Sequence, residues 1–329
     1  MKKIAETLGL LVVVGGLLFL AGCGKKNIKE ENVAVADKSA GEQLAAVVSK
    51  KDKREPVKLL FLGDLMFDRY IRQAAEKKGN DFIFQGVKDL LSDYDLVVVN
   101  LEGPITDKKS VSVGSRVGGP GHMTFTFSPS LALTLAEHNI KLVNLGNNHI
   151  LNFGTNGLEQ TRNYLSEADV EYFGDPKDAG KRFSVKEING AKIGFVNYNE
   201  FIDDGFQKAL EDMGKAKNQS DISIVYAHWG AEYKVGDPGS RIKKLAHRLV
   251  NEGADLIIGS HPHVMQVKEE YNGKMIYYSL GNFVFDQYFS QETMEGLAVA
   301  VKINPDLNLE FQEIPLSLKK NGQTVARDL

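Results

Sequence analysis

Five short apolar runs set the rhythm of this chain, at residues 57–62, 95–99, 141–145, 222–226 and 254–258. Each is rich in leucine or β-branched side chains and shows little polar alternation, the pattern of a parallel strand buried on both faces. Segments with helical spacing lie between them, at 69–78, 129–138, 158–167 and 240–251. Strands and helices in alternation predict an α/β domain built on parallel strands. Between Arg182 and Val196 two short strands flank Asn189-Gly190, a hairpin turn signal. Past the last run, residues 275–278, 283–285 and 297–303 read as strands of a second sheet with antiparallel character. These elements place one domain over residues 57–329, long enough for one large core.

The amino end has a different texture. Met1-Lys2-Lys3 is a short basic start, residues 8–20 are apolar, and the stretch closes on Leu20-Ala21-Gly22-Cys23. The apolar run is short for a spanning helix and reads as a secretory signal over residues 1–23. Its end resembles the bacterial lipoprotein signal, in which cleavage leaves a cysteine that carries lipid, so Cys23 is the expected lipidation site. Cys23 is also the only cysteine, which excludes an intramolecular disulfide framework and a cysteine-based zinc site. Residues 24–56 are polar and lack aromatic side chains, and such a segment buries too little apolar surface to fold alone. They are expected to tether an extracytoplasmic domain to the cell membrane, or to the outer membrane in a Gram-negative cell. A formal net charge of −3, with no long basic block, argues against nucleic acid as a partner.

Candidate chemistry sits where the strands stop. Asp64 follows the first run, Glu102 the second, Asn148-His149 the third, His228 the fourth, and His261 with His263 the fifth. Each has an ordinary reading by itself: Asp64 as a helix cap, Asn148 as a turn former, His261 and His263 as solvated imidazoles. Repeated at five strand ends, they are expected to converge on one edge of one sheet and to share a site. Carboxylate, imidazole and amide-oxygen donors together suit a pair of divalent ions such as Mn, Zn or Fe. Two such ions about 3.5–4 Å apart can activate water for an in-line displacement at phosphorus. Residues 106–124, rich in Gly, Ser and Thr, have the length of a functional or mobile loop, and His122 within it reads as exposed rather than ligating. Trp229, the only tryptophan, either walls a pocket or packs under a loop.

Several strings then carry a family resemblance. Gly63-Asp64-Leu65-Met66-Phe67-Asp68-Arg69, Asn100-Leu101-Glu102, Gly146-Asn147-Asn148-His149, His228-Trp229-Gly230-Ala231-Glu232-Tyr233, Gly259-Ser260-His261-Pro262-His263 and Tyr278-Ser279-Leu280-Gly281-Asn282-Phe283 resemble the CapA family. That family comprises bacterial capsule and poly-gamma-glutamate synthesis proteins within the calcineurin-like metallophosphoesterase superfamily. The resemblance implies a four-layer α/β/β/α sandwich, with two central mixed sheets flanked by helices. It also implies roles. Asp64 and His263 would hold a first metal, Glu102 would stand at the bridging place, and Asn148, His228 and His261 would hold a second. His149 would protonate a leaving oxygen or stabilise charge. Arg69 is a candidate grip on an anionic substrate group, weighed against an ordinary ion pair.

One departure bears on catalysis. The superfamily's first motif is Asp-x-His, whereas Met66 stands two residues after Asp64. A thioether is a poor ligand for a hard ion, so Asp68 or Glu232 would have to compensate, or the first ion is weak or absent. The implied function is a lipid-anchored, metal-dependent hydrolase of capsule or poly-gamma-glutamate metabolism, acting on an anionic polymer or a phosphoester. The alternative is a non-catalytic subunit that binds the polymer or a membrane polymer synthase.

Overall fold

The computed structural model describes residues 54–327. The segment expected to be a secretory signal, Cys23 and nearly all of the expected tether lie outside the described residues. Among those described, no helix is long and apolar enough to cross a membrane.

Among the described residues, fourteen strands form two mixed sheets. In the first, β1 (Val57–Leu65), β2 (Leu96–Leu101), β3 (Ile140–Asn144) and β4 (Glu171–Phe173) are parallel neighbours. The second contains β5 (Phe183–Ile188), β6 (Ala191–Asn199), β7 (Ile222–His228), β8 (Leu256–Ser260), β9 (Lys268–Tyr271) and β10 (Lys274–Tyr277). There β6, β7, β8 and β10 run parallel, with β5 and β9 antiparallel on the edges. Asn189 and Gly190 both take positive φ between β5 and β6, as a two-residue hairpin turn requires.

The carboxyl-terminal strands correct an expectation. Of the three segments expected to build a separate sheet, only 275–278 does so in part, as β10 beside β8. The other two return to the first sheet and share one edge of β1. There β12 (Glu295–Ile303) runs antiparallel along Val57–Phe61, and β11 (Asn282–Val284) runs parallel at Asp64–Leu65. Packing decides this. Val299, Val301 and Ile303 join Val57, Leu59 and Phe61 in the core between the sheets. A Cβ at Gly63 would lie 1.9 Å from the Gly281 carbonyl oxygen, so only glycine lets β1 approach the 281–284 segment. The sheet ends with β13 (Leu309–Leu318) and β14 (Thr324–Ala326).

Alternate side chains explain why the strands read as continuous apolar runs. Leu59 and Phe61 of β1 face Ile193, Ile224, Tyr226 and Ile258 across the sandwich. Leu60 and Leu62 face the opposite way, towards helices α1 (Arg69–Lys78), α2 (Ser130–Glu137) and α3 (Gly154–Glu167). In the second sheet Val225 and Ile257 pack outward on α4 (Gly205–Lys217) and α5 (Ser240–Asn251). Both faces of both sheets are therefore covered, giving the expected α/β/β/α layering.

Candidate metal centre

The five expected strand ends meet, but they come from two sheets and not one. β1, β2 and β3 bring Asp64, Glu102 and the Asn148-His149 loop from the first sheet, while β7 and β8 bring His228, His261 and His263 from the second. An all-apolar strand carries no mark of which sheet it joins, so the sequence could not separate them. Ligand-type atoms of Asp64, Glu102 and His263 lie within 4.8 Å of one another, and so do those of Glu102, His228 and His261. Glu102 belongs to both groups, the place a bridging carboxylate would take. Asn148 joins the second group, its Oδ1 standing 2.8 Å from His228 Nε2.

Asp64 is no helix cap. It lies inside β1, fully buried, where Oδ1 accepts from Asn100 Nδ2 at 2.8 Å and Oδ2 accepts from the His261 main-chain N–H at 3.1 Å. Asn100 Oδ1 accepts from Asn144 and Asn147, so its amide is fixed with Nδ2 towards the carboxylate. The cap falls to Asp68, which accepts from Arg69 N and Arg72 Nε through Oδ1 and from Thr126 N through Oδ2. Asp68 is thus occupied and does not replace the missing imidazole. Met66 packs in the apolar core, its sulfur accepting from the Asp68 N–H. Glu232 is half-buried outside both ligand groups, and its charge adds to the upward push on Glu102.

His261 and His263 both take positive φ, at 95° and 58°. Such conformations cost roughly 1–3 kcal/mol each and persist only where surroundings over-determine them. Here the Asp64 hydrogen bond to His261 N is one such constraint. His149 is oriented by Asn152, whose Oδ1 accepts from both Phe125 N and His149 Nδ1. Its Nε2 is therefore bare, and it lies 3.9 Å from Glu102 Oε1. His228 Nδ1 lies 3.0 Å from Ser260 Oγ, leaving Nε2 towards Asn148.

Burial shapes the charges. Glu102 is pushed well above the usual carboxylate range, first by burial and then by the Asp64 charge. Burial pushes Asp64 up too, but the hydrogen bond and charge of His263, with His228 and Asn100, outweigh it and hold Asp64 well below that range. Burial lowers His149 to about 4 and His261 to about 3, and lowers His228 as well. The rings of His149, His228 and His261 are therefore neutral near pH 7, the state in which an imidazole can ligate metal.

Glu102 Oε1, His149 Nε2, His261 Nδ1 and His263 Nε2 are buried without any hydrogen-bond partner. Unpaired buried polar atoms are costly, and those of Glu102, His261 and His263 lie in the two ligand groups, where cations would complete them. The carboxylate and imidazole donors fit a divalent ion of the Mn, Zn or Fe kind.

The remaining candidates fall outside the ligand groups. Arg69 is buried and ion-paired with Asp286, its guanidinium 5.1 Å from the Phe125 ring centre. His122 is half-buried, 3.3 Å from Arg69 Nη1. Trp229 is fully buried in the core between the second sheet and its helices, donating to Tyr278 O. Sequence reasoning missed Asn100, Asn152, Ser260 and Phe201. The ring of Phe201, half open to solvent, lies 4.3 Å from that of His261. The asparagines and serine flank ligands in sequence or sit one turn away, a signal that could have found them; Phe201 carries none.

Comparison with known proteins follows the same line. Residues 58–287 match the family described as bacterial capsule synthesis protein PGA_cap. The chain is similar to PGA biosynthesis protein CapA of Bacillus subtilis, 30% identical over 78% of this chain and 70% of that one. It is also similar to capsule biosynthesis protein CapA of Bacillus anthracis, 28% identical over 83% and 70%. A crystal structure of a novel phosphatase from Mycoplasma pneumoniae superposes with a TM-score of 0.53 and 17% identity, over 80% of this chain and 94% of that one. That likeness shows a shared fold.

Proposed function

The chain belongs to the bacterial capsule synthesis protein family PGA_cap, and from that premise we propose a cell-envelope protein of capsule or poly-gamma-glutamate synthesis with a two-ion hydrolytic centre. The observation that carries this reading is the buried, unpartnered Glu102 Oε1, shared by two ligand groups in which His261 and His263 also have an unpartnered ring nitrogen. Asp64, Glu102 and His263 would hold one divalent ion, and Glu102, Asn148, His228 and His261 the other. When bound, such a pair supplies a nucleophile from water and stabilises charge on a phosphoryl or carbonyl oxygen. The chain's own groups do the rest. His149, neutral near pH 7 with a bare Nε2, would take up a proton released in the reaction and pass it to a departing oxygen. Arg69, whose charge is felt at Glu102 and His149, draws an anionic group of the substrate inward. The substrate is an anionic polymer or a phosphoester. A lipid on Cys23 would hold the centre at the outer face of the membrane, within reach of a membrane polymer synthase.

Metal content measured alongside turnover tests this. A generic phosphodiester and poly-gamma-glutamate would serve as substrates for wild type, His149→Ala and His261→Ala. The expected result is two metal equivalents in wild type, a loss of about 10²–10⁴ in rate for His149→Ala with its metal kept, and lost metal for His261→Ala. Two bound ions with no turnover of either substrate would sink the hydrolase. Met66, packed in the core where an imidazole would complete the first ligand set, favours a second reading: a non-catalytic subunit that binds polymer or synthase. Co-purification of either partner with an inactive but metal-loaded protein would favour it.

A further inference from the structure

Asn282 opens β11, is fully buried, and uses every polar side-chain atom it has. Its Nδ2 donates to the main-chain carbonyls of Thr293 at 3.0 Å and His263 at 3.3 Å, and to Gln287 Oε1 at 3.1 Å. Main-chain carbonyls can only accept, so this amide cannot be turned round. Its Oδ1 therefore faces His263 Nδ1, 3.0 Å away, nearer than Asp64 Oδ2 at 3.3 Å from the same nitrogen. An amide oxygen can only accept as well, so in the neutral ring the proton sits on Nδ1 and Nε2 is bare. That bare nitrogen is buried, has no partner, and lies 3.5 Å from Glu102 Oε1.

The same segment grips the other member of the group. The Asp64 main-chain N–H donates to Gly281 O at 3.1 Å, one residue before Asn282. Gly281 itself sits at φ 70°, where its missing side chain leaves room beside Glu295 O and Met265 N. Two adjacent residues thus fix Asp64 through the main chain and His263 through its ring. The constraint extends outward, because Gln287 Nε2 donates to the hydroxyl of Tyr233, a residue half open to solvent.

We propose that Asn282 is a positioning residue for the centre, selecting the His263 tautomer whose Nε2 lone pair faces Glu102. On the metal reading above, this makes His263 a pre-set ligand in the group that Met66 leaves without a second imidazole. A partner of this kind raises metal affinity by about 10–100-fold in other metal sites, because the ring is oriented before the ion arrives.

Two measurements test it. In metal-free wild type, long-range ¹H–¹⁵N spectra of the histidine rings report the tautomer directly, the His263 signals being those lost in His263→Gln. A proton on Nδ1 is expected; a proton on Nε2 would overturn the proposal, whatever the protein's metal content. Zn²⁺ is then titrated into chelator-treated wild type and Asn282→Ala against a chromophoric chelator. The variant should show mixed tautomers at His263 and bind its weaker Zn²⁺ equivalent about 10–100-fold less tightly, with Asn282→Asp, which keeps the acceptor oxygen, recovering the single tautomer. A folded Asn282→Ala with unchanged tautomer and affinity overturns it. Should Asn282→Ala not fold, Asn282→Ser, whose shorter side chain withdraws the acceptor from Nδ1 and leaves Asp64 in place, is measured instead and read in the same way. A wild type that binds no Zn²⁺ refutes the metal reading instead, and leaves the tautomer result to stand on its own.

Discussion

A few buried side chains carry charge states far from those they would hold in water, and these set the pH behaviour of the metal-free protein. His149 titrates near 4 in the fold against an ordinary value of 6.5, chiefly because burial disfavours its cation, and His261 is lowered further to about 3. The unfolded chain therefore binds protons below pH 6.5 that the folded chain refuses, so stability is full above that value and falls as the solution is acidified. For His149 alone the loss is roughly 3 kcal/mol by pH 4. Glu102 acts in the opposite sense. Its raised pKa contributes stability below the ordinary carboxylate value of 4.5, and that contribution is lost as pH rises through the folded one. The two trends overlap between pH 4.5 and 6.5, so a comparison isolates the imidazole. Urea unfolding of metal-free His149→Gln should show a shallower acid decline than wild type by about one proton. Equal slopes would mean that His149 is protonated in the fold. This behaviour was not legible in the sequence, where His149 is one of seven histidines. Burial, which chain order does not specify, sets it apart.

Local elements explain which acidic residue does which job. Both Asp64 and Asp68 follow the first apolar run, and capping and metal binding both favour a carboxylate there. The strand continues through Leu65, which leaves Asp64 inside the sheet and moves the cap to Asp68. Asp68 also joins α1 to the 125–127 segment through Thr126 N, and it pairs with Arg72 one turn along. Asp68→Ala should therefore cost about 3 kcal/mol, since a cap, an ion pair and a buried N–H lose their partner together. Its metal content should equal that of wild type. Thermal unfolding with elemental analysis checks both; a missing metal equivalent in a folded variant would return Asp68 to the ligand set. The hairpin at Asn189-Gly190 was fully legible because its signal is local. The return of β11 and β12 to β1 was not, because strand pairing depends on residues more than 200 positions away.

Across the whole molecule, the centre exists only because two sheets are held in register. Tyr226 on β7 donates its hydroxyl to Leu62 O on β1, a buried hydrogen bond that crosses the sandwich two residues before Asp64 and His228. Removing it leaves a buried carbonyl of β1 unsatisfied. Tyr226→Phe should lose about 1–3 kcal/mol of stability with secondary structure unchanged, read as a lower urea midpoint by circular dichroism. An unchanged midpoint would show that apolar packing between Leu59, Phe61, Ile224 and Ile258 holds the sheets without it.

Local sequence was enough to set the parallel strands, the helices that cover them, and the residue types waiting at each strand end. Those features depend on short-range periodicity and on chemistry confined to a few neighbouring residues. The division of the ligands between two sheets was decided only by the tertiary structure, as was the place of Glu102 in both ligand groups and the dependence of His263 on Asn282. Each of these requires atoms far apart in the chain to meet within a few ångströms. That meeting is fixed by how three cores pack around two sheets, and no local pattern records it.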